Sequence, residues 1–173
     1  MSRLTVDEIF ESYVHRYSQG CVHRQSNTPF AGRPGHHYFV NGRVSNEHLA
    51  QITSRSSDAE AVLIKMNDAC IVSIGNTGVA TAQITVPPQD QGIEEYRWIA
   101  HTHPLEQENR YQGVARGPTT HDYAALNQLD ARGWRQNESL VIVCRSARVV
   151  DVVRFESESP LFQEGRAHFV HLL

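Results

Sequence analysis

One strand constrains this chain more than any other stretch. Tyr96-Arg97-Trp98-Ile99-Ala100 runs without a turn former into His101-Thr102-His103-Pro104, and side chains two apart on a strand leave by the same face. Two imidazoles are thereby aimed together, and the fold must supply a sheet to carry them. Sixteen residues after His103 stands Thr119, in Gly117-Pro118-Thr119-Thr120-His121-Asp122. Pro118 and Thr119 open a helix that runs through Leu129, which puts the Asp122 carboxylate in its first turn. Two nitrogens and one hard oxygen, with a fourth position open, describe a catalytic zinc whose bound water is a nucleophile near neutral pH. His101, His103 and Asp122 are the expected ligands.

Composition narrows the class. The 173 residues fit one domain able to bury a core without staples. A net charge of -3 and a pI near 6.3 lack the basic footprint of a nucleic-acid or anionic-membrane binder, so neither is expected as a partner. The acidic, amphipathic start MSRLTVDEIFESY has no signal-peptide pattern and no stretch is long enough to span a membrane, so a cytoplasmic protein is expected. Cys21, Cys70 and Cys144 are odd in number and widely spaced, which argues for reduced thiols and against a thiolate zinc site. Of the ten histidines, His15, His23, His36, His37, His168 and His171 are assigned no role.

The element order is set by local signals. Thr5 and Glu8 form a capping box for a helix over residues 6 to 19, and the polar stretch from Cys21 to Gly35 reads as a loop. His37 to Val40 is a short strand closed by Asn41-Gly42, and Ser45 caps a helix to about Thr53. The apolar runs Ala61 to Met66 and Cys70 to Ile74 form a buried hairpin, and Ala80 to Val86 reads as a further strand. After the polar loop from Leu105 to Gly117 and the helix that carries Asp122, Leu140 to Cys144 and Val149 to Phe155 complete the sheet. The fold class is a mixed α/β (α+β) sheet flanked by helices. Residues 1–35 are expected to be an N-terminal helix and loop extension, 36–156 the main domain, and 157–173 a C-terminal tail packed on it or extending from it.

The pair His101-Thr102-His103-Pro104 and Pro118-Thr119-x-x-Asp122 resembles the His-x-His-Pro and Ser-x-x-Asp signature of the JAMM (MPN-plus, JAB) metallopeptidases, over roughly residues 36 to 156. The resemblance implies the cytidine-deaminase-like JAB/MPN fold, with Zn2+ on His101, His103 and Asp122. It also implies a glutamate from an earlier strand as general base. Glu60, opening the strand EAVLIKM, is the best match, with Glu47 next. Thr119 stands where the family has an oxyanion-supporting serine. A hydroxyl there can lower the barrier by about 3 kcal/mol, and the same residue type is an ordinary N-cap. Leu63 occupies a position where the family has small residues, and the loop from Leu105 to Gly117 is longer than the family's. The implied activity is hydrolysis of a peptide or isopeptide bond in a protein or peptide substrate, often after the tail of a ubiquitin-like protein or sulfur carrier.

Other classes fit less well. A silent binding or scaffold module of the same fold, or a toxin or effector domain of the JAB type, would keep the motif. A cupin barrel would place its His-x-His first, whereas here the Pro-x-Gly-like piece Pro34-Gly35 precedes His101 by more than sixty residues, and helical stretches oppose an all-β barrel. Zinc deaminases need a Pro-Cys-x-x-Cys that is absent here.

Overall fold

The computed structural model describes residues 2–75, 92–111 and 115–157. The strand expected over Ala80 to Val86 and the tail beyond Ser157 lie outside the described residues. Among those described, ten elements run in order: α1 (Val6–Tyr17), β1 (Val22–Ser26), β2 (His37–Asn41), α2 (Asn46–Arg55), β3 (Ala61–Met66), β4 (Ala69–Ile74), β5 (Tyr96–Pro104), α3 (Thr120–Ala131), β6 (Ser139–Arg145) and β7 (Arg148–Phe155). Short 3-10 turns cover Gln19–Cys21 and Leu105–Tyr111. These seven strands form one mixed sheet ordered β1-β2-β4-β3-β5-β6-β7, parallel at β1/β2 and β5/β6 and antiparallel elsewhere.

Local chemistry accounts for the helix starts. Thr5 and Glu8 exchange side-chain bonds with each other's backbone N–H, and Ser45 accepts the His48 N–H. Helix α1 ends at Tyr17, two residues earlier than the pattern implied, where Ser18 turns to φ 84°. The hairpin β3/β4 turns through Asn67 at φ 50°, a conformation asparagine tolerates.

The stretch from Cys21 to Gly35, expected to be a loop, contains β1. Only Val22 of VHRQS is buried, because β1 is an edge strand with a half-exposed surface. Such a strand carries little apolar signal, and its order comes from pairing with β2 from Val22/His37 to Ser26/Asn41. Segment 1–35 therefore shares one sheet and one core with the domain expected over 36–156: Ile9, Tyr13 and Val22 belong to the same buried cluster as Ile64 and Leu126.

The central strands of the sheet are buried on both sides, which is why β3 reads as a continuous apolar run. One cluster joins Ile9 and Tyr13 of α1 and Leu126 and Leu129 of α3 to Val62, Ile64, Trp98, Val141 and Val143. The other joins Leu49 and Ile52 of α2 to Ala61, Leu63, Val72, Ala100 and Ile142. Each fully buried Ile or Leu contributes about 1.5 to 3 kcal/mol.

One irregularity decides what the histidines meet. Leu63 pairs with Ala100 but Ile64 pairs with Trp98, so Ile99 is an extra residue in β5. Trp98 and His101 are three apart, and in a regular strand they would face opposite ways. The bulge restores them to one side, with ring centroids 4.9 Å apart.

Candidate metal centre

His101 and His103 leave the same side of β5, and Asp122 comes to them from the first turn of α3. Thr119 is the N-cap of that helix: its Oγ1 accepts the Asp122 N–H at 3.2 Å, and Asp122 Oδ2 accepts the Thr119 N–H at 2.8 Å. This capping box fixes the carboxylate before any metal is considered. Asp122 Oδ1 lies 3.1 Å from His101 Nε2 and Oδ2 lies 3.4 Å from His103 Nε2, while the two Nε2 atoms are 3.0 Å apart. Tetrahedral N and O ligands about 2.0–2.1 Å from zinc stand about 3.3 Å from one another. The three side chains are thus at ligand spacing.

The donor chemistry fits a cation as well. His103 Nδ1 donates to the Ala115 carbonyl at 3.1 Å, because a carbonyl can only accept. In the neutral ring the proton is then on Nδ1, and the Nε2 lone pair points at the cluster. The neighbouring atoms are a second imidazole nitrogen and a carboxylate. Electron pairs so close together need a proton or a cation between them.

Glu60 joins this group from the residue before β3. Its Oε1 is 4.0 Å from His103 Nε2, and Glu60, His101 and His103 could hold a metal ion, their ligand atoms all lying within 4.8 Å of one another. At 4.0 Å this carboxylate stands outside the spacing of the other three. Its approach is set by a turn in which Ser57 and Asp58 have φ of 57° and 58°, a costly left-handed pair for residues with a side chain. Glu47, the other candidate acid, is exposed on the first turn of α2 and is not part of the group.

The site is closed to solvent. His101 and His103 are 1% exposed, Asp122 2% and Glu60 5%. Burial raises the Glu60 carboxyl to about 8, and the Asp122 charge adds to that while His101 and Tyr111 oppose it. Burial alone would also raise Asp122, but the two imidazoles, His101 foremost, hold it well below the usual carboxylate range. For His101 the Asp122 charge outweighs burial and the imidazole is raised, whereas for His103 burial wins and it is lowered. Two carboxylates driven in opposite directions can divide the labour, one ionised and binding, the other exchanging a proton near neutrality.

Two contributors were not anticipated from sequence. Thr102, between the histidines, points to the opposite face, where its Oγ1 accepts the Ala61 N–H at 2.9 Å and meets Thr53 Oγ1 at 2.6 Å. It ties the histidine strand to α2 and to the residue next to Glu60. The alternation of the strand was the available signal, since residue i+1 of His-x-His must face away. Tyr111 comes from the 3-10 turn after β5, and its ring stacks on His103 with centroids 4.4 Å apart. No sequence signal marked it within the polar stretch from Leu105 to Gly117. His121, by contrast, is exposed.

The chain matches no protein-family model, no curated protein and no solved structure. Among the described residues no helix is long and apolar enough to cross a membrane.

Proposed function

We propose that the chain is a zinc-dependent hydrolase of the JAMM metallopeptidase type, with the JAB/MPN fold, acting on a peptide or isopeptide bond. A single observation carries it. His101, His103 and Asp122 stand 3.0 to 3.4 Å apart and buried, with Glu60 one step further out. Zn2+ is the ion suited to two imidazoles and a carboxylate with an open position, and when bound it supplies the acidity that makes water nucleophilic near neutral pH. Glu60, whose carboxyl burial raises from its ordinary range, would be the group that takes up a proton from an attacking water and returns it to the leaving amine. Thr119 uses its oxygen lone pair as a cap and keeps its hydroxyl proton, so it can also donate to the oxyanion. Proteins or peptides are the substrate class, with the tail of a ubiquitin-like protein as the first candidate.

Near-complete burial of all four groups favours a second reading, in which the metal is structural and the chain is a binding or scaffold module. Metal analysis and turnover separate the two. The enzyme is expected to carry about one zinc per chain. His103→Ala loses the metal, and Glu60→Gln keeps it while hydrolysis of a ubiquitin-tail peptide falls by roughly 10²- to 10⁴-fold. Activity in Glu60→Gln equal to the parent would remove Glu60 as base; zinc without turnover in the parent would favour the structural reading.

A further inference from the structure

Glu60 stands just ahead of β3, and the peptide that joins it to that strand is gripped along both edges. The last residue of β3 paired with the ligand strand is Val62, opposite His101, so the ladder stops two residues short of the base. One residue nearer to it a side chain takes over, and the Ala61 N–H donates to Thr102 Oγ1 at 2.9 Å. On the other edge of the same peptide, the Glu60 carbonyl accepts the Gly75 N–H at 2.8 Å. Thr102 is fully buried and, standing between the two histidines in sequence, directs its hydroxyl to the face away from their imidazoles. That oxygen also lies 2.6 Å from Thr53 Oγ1 on α2. One hydroxyl thus fixes the strand of the ligands, the peptide of the base and a helix to one another. Ala61 is itself fully buried, so loss of that oxygen leaves a buried N–H unsatisfied and releases the peptide that carries Glu60.

We propose that Thr102 is a positioning residue whose hydroxyl sets where Glu60 stands relative to the ligands, 4.0 Å from His103 Nε2, from the opposite face of the sheet. This rests on the metallohydrolase reading and adds to it a residue that acts only through the base. Asp122 is held separately by the Thr119 cap, and the histidines by the pairing of β5 with β6. Removing the Thr102 hydroxyl therefore displaces the base and leaves the three ligands in place.

Thr102→Val, which keeps the shape and loses the hydroxyl, is compared with Thr102→Ser, which keeps the hydroxyl, in the full-length protein. Without metal, amide exchange read by NMR is expected to quicken at Ala61 in Thr102→Val and to keep the parent rate in Thr102→Ser. With zinc, Thr102→Val is expected to hold about one ion per chain at parent affinity. Its kcat on a ubiquitin-tail peptide falls about 10- to 100-fold at unchanged KM, and Thr102→Ser restores it. In a Glu60→Gln background Thr102→Val has no further effect on kcat, because the group it positions is already gone. Should Thr102→Val not fold, Thr53→Val loosens the same oxygen and is read in the same way. Parent rates of exchange and turnover in Thr102→Val overturn the role of Thr102, as does a further fall in the Glu60→Gln background. Zinc lost from Thr102→Val overturns it too, since ligands and not the base are then displaced. Each of these results leaves the hydrolase reading standing; a parent that binds zinc without cleaving the peptide brings down that reading and this inference together.

Discussion

Two strands of this sheet bury histidine, and they do so in different company. On β2, His37 lies between the rings of Tyr17 at 4.2 Å and Tyr13 at 5.3 Å, with Nδ1 2.7 Å from Ser73 Oγ. On β5, His101 and His103 face Asp122 and Glu60. Burial lowers the His37 imidazole to about 4, with the neighbouring His36 adding to it. The same burial at His101 is overcome by a carboxylate. Burial alone therefore makes a neutral core histidine; a buried carboxylate at ligand spacing turns it into a candidate metal ligand.

The largest expected effect breaks the comparison at its centre. His101→Ala should abolish bound zinc, whereas His37→Phe should retain it, as read by metal content after dialysis. Zinc lost from both variants would mean that general destabilisation, and not ligation, is being measured. Next in size is a pH effect confined to β2. The folded state keeps His37 neutral down to about 4, whereas the unfolded chain takes up a proton near 6.5. Stability is then full above 6.5 and lost as pH falls through that window. Parent protein should lose about 2 kcal/mol between pH 7.5 and pH 5 that His37→Phe does not lose, measured by urea unfolding at the two pH values. The smallest concerns the cap beneath the ligand. Thr119→Ala should cost about 1 kcal/mol of stability and Thr119→Ser much less. If Thr119→Ala leaves both stability and zinc affinity untouched, the capping box does not hold Asp122 in place.

Much of this was legible residue by residue. Thr5 with Glu8, Ser45, and Thr119 with Asp122 announce helix starts because capping bonds span only three residues. The apolar runs of β3, β4 and β6 announce buried strands, and His-x-His states that two rings share a side. Strand β1 was hidden because four of its five residues are only half-buried or exposed and its order comes from a neighbour in space. Tyr111 was hidden because a polar segment gives no sign of which side chain turns inward.

The sequence by itself determined the two imidazoles, their common face and the helix that presents Asp122, since each depends on neighbours no more than four residues away. Tertiary structure alone decided the rest. Pairing of β3 with β5 placed the extra residue Ile99, which puts Trp98 and the histidines on one side and opens β3 at Glu60 beside them. The fold of the segment after β5 set the Tyr111 ring on His103. Glu60 is separated along the chain from His101 by 41 positions, and no local periodicity encodes contacts of that reach. They exist only once the sheet has closed around both faces and excluded water from the site.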